Sequence, residues 1–288
     1  MIFNLYKQCG ETPLECIRRF AKKTPELKGE KMTYLGRLDP LAEGVLLMAS
    51  GIDVQRKEEF LNLDKEYDFI SIFGFATDTY DILGKIVRVE KLQELLENDV
   101  RKVATIYEGE RKQKYPLYSS KMISKKKILP KKEKKSSREQ LSDRDWRESE
   151  EIFQQKNTPV VRENLFSPLL DDTLTKKITV HKIQFHKLET LNSKELFGRL
   201  LMDISKVKGD FRQHEILVLW QQILLSAKSS NDKKIDNYFL GKFSAHVSSG
   251  TYIRSLVNDI GKTLGCGATT LSIKRNRVGD YKIEDSIR

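Results

Sequence analysis

The sequence predicts an α+β fold with a mixed, mostly antiparallel sheet flanked by helices and loops. Apolar and polar residues alternate in segments 65–75 and 176–189, as they do in strands that are buried on one face. Apolar residues follow helical spacing in other segments, such as 253–264. The two kinds of segment do not alternate strictly along the chain, and this order favours antiparallel pairing over a parallel sheet.

The N-terminal third has clear element signals. Thr12, Pro13 and Glu15 form a capping-box pattern that predicts a helix over residues 12–24. The apolar run GVLLMA, residues 44–49, predicts a buried strand or the start of a helix.

Segment 65–90 predicts two strands joined by a polar turn. One face of the first strand carries the residues Tyr67, Phe69, Ser71, Phe73 and Phe75. A short helix is predicted over residues 92–99.

The C-terminal part predicts two helices, a strand over 237–247, a helix and a final strand region. Ile253, Leu256 and Ile260 lie on one face of the last helix, which Gly265 can end. Lys274, Arg275 and Arg277 are expected to be exposed in the final strand region.

The composition restricts the classes of function. The 288 residues carry 52 Lys+Arg against 41 Asp+Glu, a net charge of +11. This excess favours binding of a polyanion such as nucleic acid over a role in solubility alone. No apolar run has transmembrane length, and the first residues lack a signal-peptide pattern. Three cysteines without CxxC spacing indicate neither a disulfide framework nor a zinc site, which fits a reducing cytoplasm.

Residues 111–176 differ from the rest of the chain. The run KKKILPKKEKK, residues 125–135, holds seven lysines and one glutamate, and its apolar periodicity is poor. This composition predicts a charged, partly flexible insertion outside the core.

The stretch YLGRLDPLAEGVLLMASG, residues 34–51, places Asp39 between Leu38 and Pro40. An Asp-Pro pair by itself is most often a helix cap or a turn. The surrounding segments change that interpretation.

Four segments resemble, in order, the TruB-type tRNA pseudouridine synthases. They are GRLDPLAEGVL (36–46), KEYDFISIFGFATDTYDILGKIV (65–87), YPLYSSKM (115–122) and SSGTYIRSLVNDIGKTLGCGA (248–268). The resemblance covers residues 1–123 and 177–288, which it implies are the catalytic domain with the pseudouridine synthase fold. Residues 124–176 would then be an insertion that contacts RNA.

The resemblance implies that a uridine, typically at position 55 in the T-loop of tRNA, is isomerised to pseudouridine. Asp39 would be the catalytic group, acting on the sugar or on the base. Burial raises the pKa of a carboxyl group, so an ionised Asp39 needs a nearby cation, and Arg254 is the family's candidate. Tyr67 would stack on the uracil and relay a proton, although a core tyrosine would show the same pattern.

The pocket would be completed by Tyr34, Leu38, His181 and Leu256, the last of which is equally a core leucine by spacing. The sequence departs from the family at several points: Gln8 follows Lys7 in place of proline, Tyr34 replaces a histidine, and His181 replaces a tyrosine. The small RNA-binding (PUA) domain found at the C-terminus of many members is expected to be missing.

RNA binding is expected at Lys121, Lys125, Lys126, Lys127, Lys131, Lys132, Arg275 and Arg277. The lysine run is equally typical of a solvated loop. The four histidines lack metal-ligand spacing, and no glycine-rich phosphate loop occurs, so neither a metal nor a cofactor is expected.

The expected partner is the T-arm of tRNA, bound by a monomer without a membrane or an obligatory protein partner. Two alternatives remain. One is a tRNA-binding folding chaperone with weak or lost catalysis, and the other is a related synthase of ribosomal RNA.

Overall fold

The computed structural model describes residues 1–116, 175–225 and 237–288. The strands are β1 (Ile2–Lys7), β2 (Met32–Tyr34), β3 (Ala42–Ser50), β4 (Lys65–Phe73), β5 (Phe75–Thr77), β6 (Ile86–Val89), β7 (Gly109–Lys114), β8 (Thr175–Asn192), β9 (Asn237–Val247), β10 (Ala268–Val278) and β11 (Tyr281–Lys282). The helices are α1 (Pro13–Lys22), α2 (Lys57–Leu61), α3 (Glu97–Ile106), α4 (Ser193–Ser205), α5 (Gln213–Leu225) and α6 (Ile253–Thr263).

One sheet organises the described residues, in the order β1-β3-β10-β4-β9-β8-β7, with β2 beside β3 and β11 beside β10. Its pairs are antiparallel except for β3 and β10, which run parallel. Strands β5 and β6 form a separate antiparallel pair. The prediction of an α+β fold with a mostly antiparallel sheet is confirmed.

Two apolar clusters cover the faces of this sheet. On one face, Tyr67, Phe69 and Phe73 pack with residues of α3 and α6. On the other, Ile72 and Leu240 pack with residues of α4 and α5. Phe75 lies in the second cluster, not with Tyr67 as predicted, because the chain turns at Gly74, whose φ is 88°.

The strong local signals predict the helix ends. Thr12 caps α1 with both hydrogen bonds of a capping box. Gly265, with φ 77°, follows the end of α6. The helix predicted over 92–99 is wrong, because α3 begins at Glu97 and buries Val100 and Ala104.

Residues 1–116 and 175–288 belong to one compact unit. Strand β8 begins at Thr175, two residues before the predicted domain boundary. Most of the predicted insertion, 124–174, lies outside the described residues.

Candidate active site

Asp39 lies in the loop between β2 and β3, and a buried lysine holds this loop in place. The ammonium group of Lys7, at the end of β1, donates to the carbonyl oxygens of Gln8 at 3.1 Å, Pro40 at 3.2 Å and Ala42 at 2.6 Å. Lys7 is fully buried, and burial lowers its pKa to about 8. The lysine therefore holds the backbone that directly follows Asp39.

Arg254 contacts Asp39 across 215 residues of sequence, with 2.8 Å between its Nε and the carboxylate Oδ2. The arginine lies in the first turn of α6, and its Nη1 donates to the carbonyl oxygen of Thr79 at 2.6 Å. Its side chain is 5% exposed, whereas that of Asp39 is 39% exposed. The arginine is thus the buried member of the pair, and Asp39 faces solvent.

The start of α6 is itself anchored. The amide side chain of Gln113 on β7 accepts from the backbone N–H of Tyr252 and donates to its carbonyl oxygen, at 2.8 and 3.0 Å. Gln113 is buried. This pair of hydrogen bonds fixes the residue that precedes the helix and thereby the position of Arg254.

Asp81 is a second carboxylate beside Arg254 that the sequence interpretation missed. Its Oδ2 lies 3.6 Å from the arginine Nε, while its Oδ1 accepts from the Thr79 hydroxyl at 2.6 Å and from the Leu83 N–H at 3.0 Å. Burial raises the pKa of Asp81, and Arg254 opposes that rise. The sequence showed only an acidic turn residue; its place within the second motif was the one available signal.

The three groups share one small crevice, which Leu41 and Ala42 also line. One cation there faces two carboxylates. Burial disfavours the charge of Arg254, but Asp39 and Asp81 raise the pKa of its guanidinium above the ordinary value. The arrangement holds the Asp39 side chain against a buried cation while leaving it 39% exposed.

Tyr67 lies on β4, is 8% exposed and packs in the apolar cluster that also contains Leu38 and Leu256. Within the described residues, its hydroxyl makes no hydrogen bond. Leu38 is 6% exposed and next to Asp39, and its place in the pocket stays a prediction. Leu256 is 1% exposed and does not line the crevice, which places it as a core leucine.

Tyr34 is half-buried on β2, opposite Met48 of β3. The cationic groups of Arg37 and Lys57 lie 5.8 and 5.5 Å from the centre of its ring. The structure therefore shows Tyr34 in contact with two cations near the Asp39 loop, and its place in the pocket stays a prediction.

The prediction that His181 lies in the pocket is wrong. The side chain of His181 contacts those of Asp64 and His246. His246 on β9 lies directly opposite Glu66 of β4 in the sheet. Adjacent strand residues point to opposite faces, so Glu66 and this histidine cluster lie on the face away from Tyr67.

The two arginines expected to bind RNA differ in their exposure to solvent. Arg275 is 3% exposed and donates to the carbonyl oxygens of Val45 and Arg37, so the expectation that it meets phosphate is wrong. These two carbonyls, on β3 and in the loop before it, hold the side chain inside the fold, whereas Lys274 beside it on β10 is exposed. Arg277 is partly exposed and pairs with Glu66. The expected RNA-binding lysines, Lys121, Lys125, Lys126, Lys127, Lys131 and Lys132, lie outside the described residues.

A larger cleft, of about 470 Å³, adjoins the crevice and shares Leu41, Leu271, Ser272 and Ile273 with it. Asp68, Arg199 and Lys242 are among its lining residues, and Arg199 is already paired with Asp203.

Among the described residues, every helix is too short or too polar to span a membrane.

Comparisons with known proteins agree with the motifs. Residues 22–147 match the family model described as the N-terminal domain of TruB family pseudouridylate synthases. The tRNA pseudouridine synthase B of Clostridium tetani is 26% identical over 286 residues, 99% of this chain and 70% of that protein. The synthase B of Thermotoga petrophila is 29% identical over 283 residues, 98% of this chain and 64% of that protein.

A eukaryotic protein is similar to the same extent. The tRNA pseudouridine synthase 4 of Saccharomyces cerevisiae is 28% identical over 272 residues, 91% of this chain and 64% of that protein. The chain thus spans about two thirds of the length of these relatives. A solved Cbf5–Nop10–Gar1 complex matches with a TM-score of 0.50 and 19% identity, over 98% of this chain and 49% of that chain, which supports a shared fold.

Proposed function

We propose that the chain is a TruB-type synthase that isomerises a uridine of tRNA to pseudouridine, because residues 22–147 match that family model and almost the whole chain matches tRNA pseudouridine synthases. The proposed target is uridine 55 in the T-loop, and the proposed catalytic group is Asp39. The observation that carries this proposal is the 2.8 Å contact between Asp39 and Arg254, which joins two distant motifs in one crevice.

The reaction breaks the bond from N1 of uracil to C1′ of ribose and forms a bond from C5 to C1′. The proton on C5 is lost and N1 gains one, so the product is an isomer of the substrate. Asp39 is proposed to act as a nucleophile on the sugar or on the base, and the partial exposure of its carboxylate supports this role. Arg254 is proposed to fix the position of this carboxylate through their 2.8 Å contact.

Tyr67 is proposed to stack on the uracil and to accept or relay the C5 proton. Its place beside Leu38 in the apolar cluster and its unpaired hydroxyl within the described residues support this role. Leu38 would exclude water when the base enters. Leaving the RNA stack costs the uridine a few kcal/mol, which aromatic stacking in the site would offset.

The RNA backbone is proposed to meet Arg277 and the lysines of segment 121–132. Arg277 pairs with Glu66 at side-chain exposures of 33% and 40%, an arrangement that a phosphate can replace. We propose that the chain does this as a cytoplasmic monomer, without a protein subunit.

The test is to incubate the purified chain alone with an unmodified tRNA transcript. Pseudouridine is then mapped by the block that its carbodiimide adduct causes to reverse transcription. The matched control is a transcript with cytidine at position 55. A block at position 55 that the control lacks supports the proposal.

Other outcomes separate the alternatives. A block at another uridine would overturn the position. Tight tRNA binding and faster tRNA refolding without any pseudouridine would favour the chaperone. Activity that needs an added protein would contradict the monomer.

A further inference from the structure

A second cluster of chemically competent side chains lies on the other face of the sheet. Asp64 directly precedes β4, His246 lies on β9, and His181 lies on β8. One ligand atom from each of the three lies within 4.8 Å of the others. The three residues are far apart in sequence, so only the fold brings them together.

A β-bulge explains how His181 reaches this position. Val180 pairs with Val247, but Lys182 pairs with His246, so His181 is the extra residue between them. A bulge sets two residues opposite one and re-aims a side chain. Here the His181 and His246 rings lie with their centres 4.6 Å apart.

The distances suit a single metal ion. The Asp64 Oδ2 lies 3.0 Å from the His181 Nε2 and 3.8 Å from the His246 Nε2. Ligand atoms about 2.0 to 2.1 Å from a tetrahedral ion lie about 3.3 Å apart. These two separations fall on either side of that value, and the ligand atoms of the two histidines also lie within 4.8 Å of each other.

We propose that Asp64, His181 and His246 bind a divalent ion of the zinc class. Two imidazoles and one carboxylate are a donor set that suits Zn²⁺, whereas Mg²⁺ prefers oxygen ligands alone. The side chains of His181, Asp64 and His246 are 37%, 44% and 34% exposed, which leaves the fourth position to water. The nearby carboxylate of Glu66 is engaged by Arg277 and is not counted as a ligand.

The ion would join β8, β9 and the turn before β4, on the face away from Tyr67. It would act on stability, because an ion that binds the folded chain more tightly than the unfolded one favours the folded state by mass action. The inference does not depend on the proposed function.

The test is a titration of the chelator-treated chain, with any histidine tag removed, by Zn²⁺ in a calorimeter and by Co²⁺ in a spectrophotometer. We expect one ion per chain and the visible bands of tetrahedral Co²⁺. We also expect no thiolate-to-metal charge-transfer band. Such a band would assign the ion to a cysteine and overturn the proposal, as would the absence of saturable binding.

The variants are His181→Asn, His246→Asn and the double variant, with His214→Asn as the matched control. His214 is an exposed histidine on α5. Each single variant should weaken binding by at least about 10-fold. The double variant should abolish the binding and the Zn²⁺-dependent rise in unfolding temperature, and His214→Asn should keep both. If the double variant folds and binds Zn²⁺ as tightly as the wild type, the proposed site is wrong. If the double variant does not fold, the Co²⁺ spectrum of the wild type is the deciding test.

Discussion

At the scale of single residues, the charge balance of the crevice depends on Arg254. Its guanidinium uses Nε for Asp39 and Nη1 for the Thr79 carbonyl, so two donors with fixed directions are needed. The ammonium group of a lysine is a point charge and does not reproduce this fork. The buried Asp81 also relies on the same cation.

We predict that Arg254→Met lowers the single-turnover rate by about 10- to 100-fold, the loss expected when a charge-assisted contact worth about 1.5 to 3 kcal/mol is removed. Arg254→Lys should fall between methionine and the wild type. Wild-type rates in the methionine variant would separate Arg254 from catalysis.

The same variant should lose stability in a pH-dependent way. Burial already raises the pKa of Asp81, and loss of the cation should raise it further. A carboxyl group with a raised pKa in the folded state costs stability as the pH rises above the unfolded value of about 3.9. The free energy of unfolding of Arg254→Met, measured by urea denaturation, should therefore fall relative to wild type as the pH rises above about 4. Adding Asp81→Asn should restore stability but not activity, and a pH-independent loss would contradict this account.

For Tyr67→Phe we predict a large loss of turnover with little change in tRNA affinity or stability. The ring, which is 8% exposed in the apolar cluster, is kept, and the lost hydroxyl has no hydrogen-bonding partner among the described residues. Single-turnover rates, a binding isotherm and a melting curve measure the three quantities. Full activity in the phenylalanine variant would reduce Tyr67 to a packing residue.

At the scale of elements, the site depends on how β1, the Asp39 loop and α6 are joined. Lys7 donates to the carbonyls of Pro40 and Ala42, which follow Asp39 in the loop, and it does so from a fully buried position. An unpaired buried carbonyl costs about 1 to 3 kcal/mol, so the loop needs these donors.

We predict that Lys7→Met lowers activity with a smaller effect on tRNA affinity, since the loop that carries Asp39 loses its anchor. The wild type should gain free energy of unfolding relative to Lys7→Met as the pH rises from about 8 toward 10.5. In that range the unfolded chain still holds a proton that the folded lysine, with its pKa of about 8, has released. Urea denaturation at several pH values measures this difference, and a constant difference would show that Lys7 is not desolvated.

Local patterns predict the elements where the physical signal is local. The capping box of α1 and the glycine after α6 lie within a few residues of the helix ends that they fix. The apolar run at 44–49 left strand and helix open, and only its pairing with β1 and β10 makes it a strand.

The partners of the site residues depend on contacts that no local pattern contains. Arg275 resembles its neighbours Lys274 and Arg277 in sequence, yet it is buried, because its guanidinium donates to carbonyl oxygens 230 and 238 residues away. Gly44, with φ 106°, is required because a Cβ there would lie 2.2 Å from the Arg275 carbonyl oxygen, a contact between strands. The sequence analysis missed Asp81 and the cluster around His181 because their contacts also join residues that are far apart in sequence.

At the scale of the whole molecule, the net charge of +11 favours RNA binding, and segment 125–135 carries seven lysines of that charge. If these lysines meet phosphates, their contribution depends on salt, because each contact releases counterions.

We predict that replacing four of the seven lysines by serine weakens tRNA binding and lowers the slope of log affinity against log salt by roughly 0.7 to 0.9 per lost contact. Binding isotherms at several salt concentrations measure the slope. Replacing four surface lysines elsewhere, Lys22, Lys23, Lys28 and Lys31, is the control for net charge. An equal slope in the variant and the wild type would identify the run as a solvated loop.

The central claim is that the carboxylate of Asp39 performs the isomerisation in a site that Arg254 fixes. The most direct measurement is the single-turnover rate of pseudouridine formation by Asp39→Asn beside its tRNA affinity. Asparagine keeps the shape of the side chain and removes its charge, so we predict no detectable product and an affinity within a few-fold of wild type. Substantial turnover by the asparagine variant would contradict the account.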